Sequence, residues 1–570
     1  MDLFKRFFTS NDAAQTKAPL ATQTLPDLVD EPETTYSGTP IEPIKYGLPK
    51  EIESVCPECM ELIAATIYPD NGKVWIRKTC KDHGEFKDVF YGDVNLYHRC
   101  EEFWFGDGRG IEDPPIKKAT VCPKQCGLCN MHMSHSGLPI IDLTNRCNMT
   151  CPVCFANANA AGYLYEPPFG DVMAMLESLI AQKPVRANMV QFSGGEPTIR
   201  PDFLEIIKRT TQMGFEYIQV NTNGIKMADP EFAHAAKEAG VENIYLQFDG
   251  ITDDVYRKTR SRPLMEYKLK AIENCRKVRI GVVLVATLVK SFNDHQVGDI
   301  VKFAIKNNDV ISGIAFQPVS FVGRFSQSHR LERRYTLADL AFDIERQTGY
   351  MKAMRDWFPI GCITAISKLA SSLSGKPSFA LTLHPHCSQG AYFYIGEDGT
   401  VKPVSEFLDM EPFMRELITL SREIKPSGFG LLSKVKILYR LQKHFKEDKA
   451  PRGLTFKKFL ESLEGYQERS LRRTTVDLGL KQSRFYSDFF IAGMHFMDAY
   501  NFSVERVKRC VIHYPDPKGH LYPFCAYNGA PVYRERVESK YKHSPEKLKE
   551  QILAEGRPKE LEMIAKKMGI

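Results

Sequence analysis

Cys147, Cys151 and Cys154 stand in a CxxxCxxC run, Cys147-Asn148-Met149-Thr150-Cys151-Pro152-Val153-Cys154. On a loop, this spacing can place three thiolates around one face of a cubane [4Fe–4S] cluster. Three ligands for four irons leave one iron open to a small molecule. Zinc ribbons generally use two separate CxxC pairs, so a zinc or structural site is the poorer reading of this run. Further along stands Ser193-Gly194-Gly195-Glu196-Pro197. Its two glycines allow a backbone to approach a ligand closely, and its carboxylate can hold an ammonium group. Alone, the same residues also fit a turn before a helix.

Ten of the fifteen cysteines fall between Cys56 and Cys154. Cys56-Pro57-Glu58-Cys59, followed by Cys80 and His83, has the CxxC…CxxH form that holds zinc or a single iron tetrahedrally, with Cys100 as an alternative fourth ligand. Cys122, Cys126 and Cys129 form a second CxxxCxxC run, read as an auxiliary cluster or as part of one shared with the N-terminal knuckle. Cys362, Cys387, Cys510 and Cys525 make a further candidate set near the C-terminus, and Cys275 reads as a buried inert thiol in a helix. With Cys275 and Cys100 set aside, ten cysteines remain beyond the first three, too few for three four-cysteine sites. Either His83 contributes or one cluster keeps an open iron.

These loops need a scaffold, and the apolar pattern supplies one. Strand-length runs rich in β-branched and aromatic residues occur at Leu138–Leu143, Met189–Phe192, Tyr217–Val220, Asn243–Phe248, Gly281–Val289 and Gly313–Val319. Between the first two, Val172, Met173, Met175, Leu176, Leu179 and Ile180 recur on one helical face. Asp229-Pro230 opens another helix that Gly240 closes, and Thr336-Leu337-Ala338-Asp339 has the form of a capping box. Repeated βα units imply a parallel sheet, and about six of them fit a partial (β/α)₆ barrel. The expected organisation is a flexible tail over 1–50 and a cysteine-rich metal or iron–sulfur domain over 51–136. The α/β partial barrel follows over 137–335, then an auxiliary-cluster and substrate region over 336–540 and a helical tail over 541–570.

The 570 residues are 43% hydrophobic and 26% charged, as in ordinary soluble globular chains. Lys plus Arg exceed Asp plus Glu by 76 − 70 = 6, a mild excess that weakly favours an acidic partner. The longest apolar run, Ile280 to Val289, is too short to span a membrane, and the first eight residues lack the apolar segment of a signal peptide. A cytoplasmic chain with reduced thiols is expected, which favours metal and redox chemistry over disulfides. The charge is spread along the chain without an RNA-binding motif, so no nucleic acid is expected as partner.

Taken together, the CxxxCxxC run and the GGEP motif resemble the radical S-adenosylmethionine superfamily, over about residues 138 to 325. The resemblance implies S-adenosylmethionine on the open iron and its cleavage to a 5′-deoxyadenosyl radical. It also implies that Gly194, Gly195 and Glu196 contact the methionyl amino group, and that Asn221, Asn223, Gln247 and Asp249 are candidates for ribose and substrate contacts. Val153 stands where an aromatic residue is frequent, with Phe155 adjacent. Cys387-Ser388-Gln389-Gly390 and the residues after it look like auxiliary-cluster segments of other radical enzymes, with Val404 where a further cysteine often sits.

The order of Cys56–Gly84, Cys122–Cys129, Thr144–Ala158 and Arg509–Asn528 resembles the radical tetraether lipid synthases. That resemblance implies carbon–carbon bond formation between the terminal methyl carbons of isoprenoid diether chains. Expected with it are a glycerol diether lipid substrate, one or two auxiliary [4Fe–4S] clusters, and an electron donor such as ferredoxin or flavodoxin. The runner-up is a radical methylase acting on a pterin or another small molecule. A non-catalytic iron–sulfur electron carrier or scaffold is the alternative of another class. Leu431, Leu432, Val435, Leu438, Tyr439 and Phe445 share a helical face with basic residues around it, and Leu3, Phe4, Phe7 and Phe8 flank Lys5 and Arg6. Both segments are candidates for peripheral membrane contact, against the commoner case of a helix packed on the barrel.

Overall fold

The computed structural model describes residues 33–323, 326, 328–424, 431–468, 486–540, 542–543, 550 and 553. The N-terminal aromatic cluster at Leu3–Phe8 and nearly all of 541–570 lie outside the described residues.

Strands β1 (Lys50–Val55), β2 (Leu62–Asp70), β3 (Lys73–Cys80) and β4 (Gly84–Tyr91) form an antiparallel meander in the order β1-β2-β3-β4. Alternation decides their faces: along β1, Lys50, Ile52 and Ser54 are buried while Glu51 and Glu53 are exposed. The two hairpin turns therefore carry Cys56 with Cys59 and Cys80 with His83 at one end of the sheet. Asp93 caps helix α1 (Val94–Glu102) by accepting from the Leu96 amide at 2.8 Å.

The partial barrel follows. Its strands are β5 (Leu138–Thr144), β7 (Met189–Gly194), β8 (Tyr217–Thr222), β9 (Asn243–Gln247), β10 (Gly281–Leu288) and β11 (Ile311–Pro318), adjacent in that order and parallel; the short β6 (Leu164–Tyr165) lies off this sheet. Helices α2 (Phe169–Ile180), α3 (Phe203–Gln212), α4 (Pro230–Ala239), α5 (Asp253–Arg260), α6 (Met265–Val278) and α7 (Val297–Lys306) make the connections. Period-2 alternation divides each strand between two destinations. Val190, Phe192, Ile218, Val220, Ile244, Leu246, Ile314 and Phe316 join the apolar core that also holds Leu176, Ile206, Ala271 and Val301 from the helices. The intervening residues face inward.

Local signals operate as the sequence implies. Asp229 caps α4 and Gly240 ends it at φ +114°, a conformation costly for residues with a Cβ. Thr336 and Asp339 form a reciprocal capping box on the helix Leu337–Thr348. Cys275 is fully buried within α6.

The sheet does not stop at six strands. β15 (Tyr486–Met494) pairs parallel with β11 and antiparallel with β13 (Ser388–Gly396), which carries β12 (Phe358–Pro359) and β14 (Val401–Pro403). On the other flank β16 (Ile512–Pro515) pairs parallel with β5 and antiparallel with β17 (Leu521–Pro523). The C-terminal third of the chain thus widens the barrel wall on both sides. The helix Leu431–Gln442 packs into a second apolar cluster through Ile437 and Leu441, and Arg440 binds Glu416 and Glu423 on the helix Met410–Glu423. Its position is that of a packed helix, although Tyr439 is exposed. No helix among the described residues is long and apolar enough to cross a membrane.

Candidate active site

The inward residues at the carboxyl ends of the parallel strands enclose a cavity of ≈ 370 Å³. Gln191 and Ser193 come from β7, Asn221 from β8, Tyr245 and Gln247 from β9, Thr287 from β10 and Gln317 from β11. Phe490 and Met494 of β15 and Ile512 and Tyr514 of β16 continue the wall. Cys147, Cys151 and Cys154 stand in its lining on the loop after β5. Across from the polar strand ends lies an aromatic side, where Phe496 and Phe524 stack with centroids 3.6 Å apart and Tyr514 lies 5.7 Å from Phe524.

Asn159 holds the cysteine loop in shape. Its Oδ1 accepts from the Cys147 amide at 2.9 Å, and its Nδ2 donates to the Cys147 and Met149 carbonyls at 2.6 and 3.0 Å. It does so from a left-handed backbone at φ +62°, which asparagine tolerates better than most residues. The glycines of GGEP line the cavity and also serve this same loop. A Cβ on Gly194 would lie 2.1 Å from the Thr144 carbonyl oxygen, and one on Gly195 2.1 Å from that of Arg146. The Gly195 and Glu196 amides donate to those two oxygens at 2.7 and 2.9 Å. Glycine is required because the two loops zip together.

Glu196 is buried in the cavity wall. Its carboxylate accepts from Thr198 Oγ1 at 2.6 Å, Thr222 Oγ1 at 2.8 Å and the Asn223 amide at 2.7 Å. Burial raises its pKa and these donors oppose the shift. Asn223 Nδ2 donates to Asn148 Oδ1 at 2.7 Å within the cysteine loop, and Asn221 Nδ2 donates to Gln191 at 2.9 Å. Lys268, fully buried on α6, donates to the Asn223 carbonyl at 2.6 Å and to Gln247 Oε1 at 2.7 Å.

Asp249 requires a correction. It does not reach the cavity; it is buried behind it, with Arg260 Nε and Nη2 donating to its two oxygens at 2.6 and 3.0 Å. Although burial works to raise it, the Arg260 guanidinium holds its carboxyl below the usual range. Arg260 is the residue that lines the cavity, and it also donates to the Val153 carbonyl at 2.9 Å and to Thr287 Oγ1 at 3.2 Å. Burial pushes the Cys147 and Cys151 thiols up, and Arg260 counters this at Cys151. Three thiolates so placed need a cationic centre to hold them.

Sequence reasoning missed Arg260, Lys268 and Asn159, and also Tyr245 and Gln317. Strand alternation from Gln247 points to Tyr245, but nothing local marks Arg260, whose role depends on a fold that brings α5 to the cysteine loop.

The other cysteines divide into sets. Among the described residues, Cys56, Cys59, Cys80 and His83 form the one group of ligand atoms all within 4.8 Å of one another. Their Sγ–Sγ contact of 3.9 Å between Cys59 and Cys80, and the Sγ–Nδ1 contacts of 3.4 and 3.7 Å to His83, match the ~3.8 Å edge of a tetrahedron with metal–sulfur bonds of about 2.3 Å. Cys147, Cys151 and Cys154 are spread too widely for that test and edge a cavity instead, which suits a polynuclear cluster over a single ion. Cys122, Cys126, Cys387, Cys510 and Cys525 gather on one apolar cluster with Phe502, Tyr514 and Phe524, and Arg506 Nε donates to Cys387 Sγ at 3.2 Å. Burial pushes Cys122 and Cys525 up to about 12, and Cys126 rises with burial and with neighbouring Cys122, Cys129 and Cys510. Cys362 does not join them. It packs with Phe103, Phe105 and Phe358 in the other apolar cluster, so its expected role as a ligand with Cys510 and Cys525 is corrected to that of a core thiol. Cys100, buried against Tyr91, is likewise apart from the N-terminal tetrad.

Residues 141–304 match the family model of the radical SAM superfamily, and residues 48–92 match the HMPTM N-terminal zinc ribbon domain. The chain is 40% identical over 497 residues to a 7,8-dihydro-6-hydroxymethylpterin dimethyltransferase of Methanocaldococcus jannaschii, spanning 86% of this chain and 95% of that one. A GTP 3′,8-cyclase of Clostridium acetobutylicum is 24% identical over 304 residues, spanning 51% of this chain and 88% of that one. Among solved structures, Streptococcus suis SuiB bound to precursor peptide SuiA is 19% identical with a TM-score of 0.32, covering 38% of this chain and 47% of that one. The expectation of a tetraether lipid synthase is overturned here: the relative matched over nearly its whole length is a pterin dimethyltransferase, and no finding supports a lipid substrate.

Proposed function

The chain belongs to the radical S-adenosylmethionine superfamily and, within it, to the family of the Methanocaldococcus jannaschii pterin dimethyltransferase, and on that premise we propose that it is a radical methyltransferase acting on a reduced pterin. Membership brings S-adenosylmethionine, a [4Fe–4S] cluster and the need for an electron donor. The observation that carries the substrate is the 40% identity across 95% of that relative.

In this reading Cys147, Cys151 and Cys154 hold the cluster, and Gly194–Glu196, Asn221, Asn223 and Gln247 form the cofactor's side of the cavity. Bound there, the cluster and S-adenosylmethionine supply a deoxyadenosyl radical for hydrogen abstraction. Arg260 keeps a positive charge beside Cys151 and braces the loop through the Val153 carbonyl. Asp249 acts through Arg260 as a positioning residue. Cys122, Cys126 and Cys129, with Cys387, Cys510 and Cys525 nearby, are the ligands for auxiliary iron–sulfur sites, and Cys56, Cys59, Cys80 and His83 hold zinc. The electron donor is a small carrier such as ferredoxin or flavodoxin.

A pterin is a flat heteroaromatic ring with hydrogen-bonding edges. Phe524 and Tyr514 offer it an apolar surface. The Tyr245 hydroxyl and Gln317 amide line the same cavity and make no side-chain hydrogen bond to another described residue, leaving them for its polar edges. Anaerobic absorbance titration of the reconstituted protein with 7,8-dihydro-6-hydroxymethylpterin tests this placement. Saturable binding is expected, weakened about 2- to 13-fold by Phe524→Ala, the range of a lost aromatic contact of ~0.5–1.5 kcal/mol. Absence of saturable binding would remove the substrate from this reading.

A further inference from the structure

Three of the largest fully buried side chains in the molecule are arginines, Arg146, Arg506 and Arg509. Arg146 is held by the Glu166 carboxylate at 2.8 Å, and Arg509 by that of Asp107 at 2.6 Å. Arg506 meets no carboxylate among the described residues. The two acids nearest to it in sequence have other partners. Glu505 pairs with His384 at 3.2 Å and accepts from the Lys45 amide at 2.9 Å, and Asp498 binds Arg334 at 2.6 Å. A guanidinium cannot shed its proton, so burying one without an anion is among the costliest arrangements a fold can hold.

The chain fixes where that charge points. Ser503 caps the short helix Val504–Lys508 and accepts from the Arg506 amide at 3.4 Å, while Val504 and Val507 sink into the apolar cluster of the C-terminal cysteines. Arg506 Nη2 donates to the His495 carbonyl at 2.6 Å, and the His495 amide donates to the Cys387 carbonyl at 2.9 Å. This aims Nε at Cys387 Sγ, 3.2 Å away. A second N–H, the Met497 amide, points at Cys525 Sγ from 3.3 Å. Cys387 and Cys525 both neighbour Cys510, and the Arg506 charge opposes the effect of burial at Cys525. The anion that Arg506 lacks is present once these sulfurs are thiolates, the form in which cysteine binds iron.

We propose that Arg506 sets the reduction potential of the auxiliary cluster at Cys387, Cys510 and Cys525, as its buried counter-charge and as hydrogen-bond donor to the Cys387 sulfur. This rests on the reading of those cysteines as cluster ligands. Reduction adds an electron to a site already rich in thiolate charge. A fixed cation and an N–H···S bond both favour the reduced form, so both raise the potential at which the site takes one electron from the carrier.

EPR-monitored redox titration of the anaerobic reconstituted holoenzyme tests the proposal. A Cys387→Ala, Cys525→Ala double variant should lose about one cluster of iron, and the signal it lacks identifies the site. Arg506→Met should lower the midpoint of that signal by at least a tenfold change in equilibrium, about 59 mV for one electron, with the other cluster signals unmoved. Arg506→Lys, which keeps the charge, should restore most of the shift. An unmoved or raised midpoint in Arg506→Met, an equal shift of every cluster, or no recovery in Arg506→Lys would overturn the inference while the ligands stand. Should Arg506→Met lose the iron of this site, Arg506→Lys decides: iron retained supports the counter-charge, and iron lost overturns it in favour of a structural role. A double variant that keeps all its iron would instead remove the ligand reading, and the inference with it.

Discussion

At the residue scale the Arg260–Asp249 pair links the barrel to the cysteine loop. It is a buried ion pair, and its arginine reaches Thr287 and the Val153 carbonyl. Asp249→Asn keeps the volume and removes the charge that orients the guanidinium. Partners of this kind, one step behind a metal site, typically contribute 10–100-fold. A drop of about that size is expected in 5′-deoxyadenosine formation, at unchanged zinc content, when product is measured over time under strong reductant. Lys268 allows a thermodynamic check. Burial lowers it to about 7, against about 10.4 for an unfolded lysine. Between those values the unfolded chain binds more protons, so stability relative to Lys268→Met should rise with pH from about 7 to about 10.4. Denaturant midpoints of the two proteins at either end of that window measure it, and a falling difference would contradict the assignment.

At the element scale the cysteine loop and the GGEP loop form one unit. Gly195→Ala drives a Cβ into the Arg146 carbonyl oxygen and should unzip them. Iron per chain is expected to fall by about one cluster while zinc at Cys56, Cys59, Cys80 and His83 stays, as metal analysis can show. Much of this level was legible in the chain. The six core strands lie within two residues of the apolar runs, because alternation and β-branched composition are local properties. The Asp229 cap and the Thr336 capping box are local as well. What escaped was non-local. The pairing of Gly313 with Phe490 and of Leu138 with Ile512 joins segments far apart in sequence, and no short-range pattern records it. Asp249 had the position of a ligand contact at a strand end, yet α5 returns Arg260 over it and claims both oxygens. Cys362 was read by residue type alone, whereas its neighbours are phenylalanines.

At the scale of the whole molecule, a buried ionic network joins the N-terminal sheet to the reaction cavity. Asp88 of β4 binds Arg334 at 2.6 Å, Arg334 binds Asp498 at 2.6 Å, and Asp498 accepts from the Phe321 amide at 3.0 Å. Phe321 shares an apolar cluster with Val153, between two of the cysteines. Removing the shared cation leaves buried Asp498 without its guanidinium while Asp88 keeps Arg330 at 2.6 Å, and breaking such a network costs about 3–5 kcal/mol. Arg334→Met should lower the denaturant midpoint accordingly, and adding Asp88→Asn and Asp498→Asn should recover part of the loss. Failure of the triple variant to regain stability would show that the network does not act as a unit. The C-terminal strands line the reaction cavity through Phe490, Met494, Ile512 and Tyr514, and this network ties the N-terminal sheet to the segment beside it.

The measurement that bears most directly on the function is anaerobic turnover of the reconstituted protein. It would combine excess S-adenosylmethionine, a strong reductant and 7,8-dihydro-6-hydroxymethylpterin, with the one-carbon donor supplied either as that excess S-adenosylmethionine or as a reduced folate-type cofactor carrying a one-carbon unit, and the pterin followed by mass spectrometry. The expected result is a pterin heavier by one and then two methyl groups, with 5′-deoxyadenosine formed alongside and both lost in Cys151→Ala. Deoxyadenosine formation with an unaltered pterin under the same conditions would contradict pterin methylation.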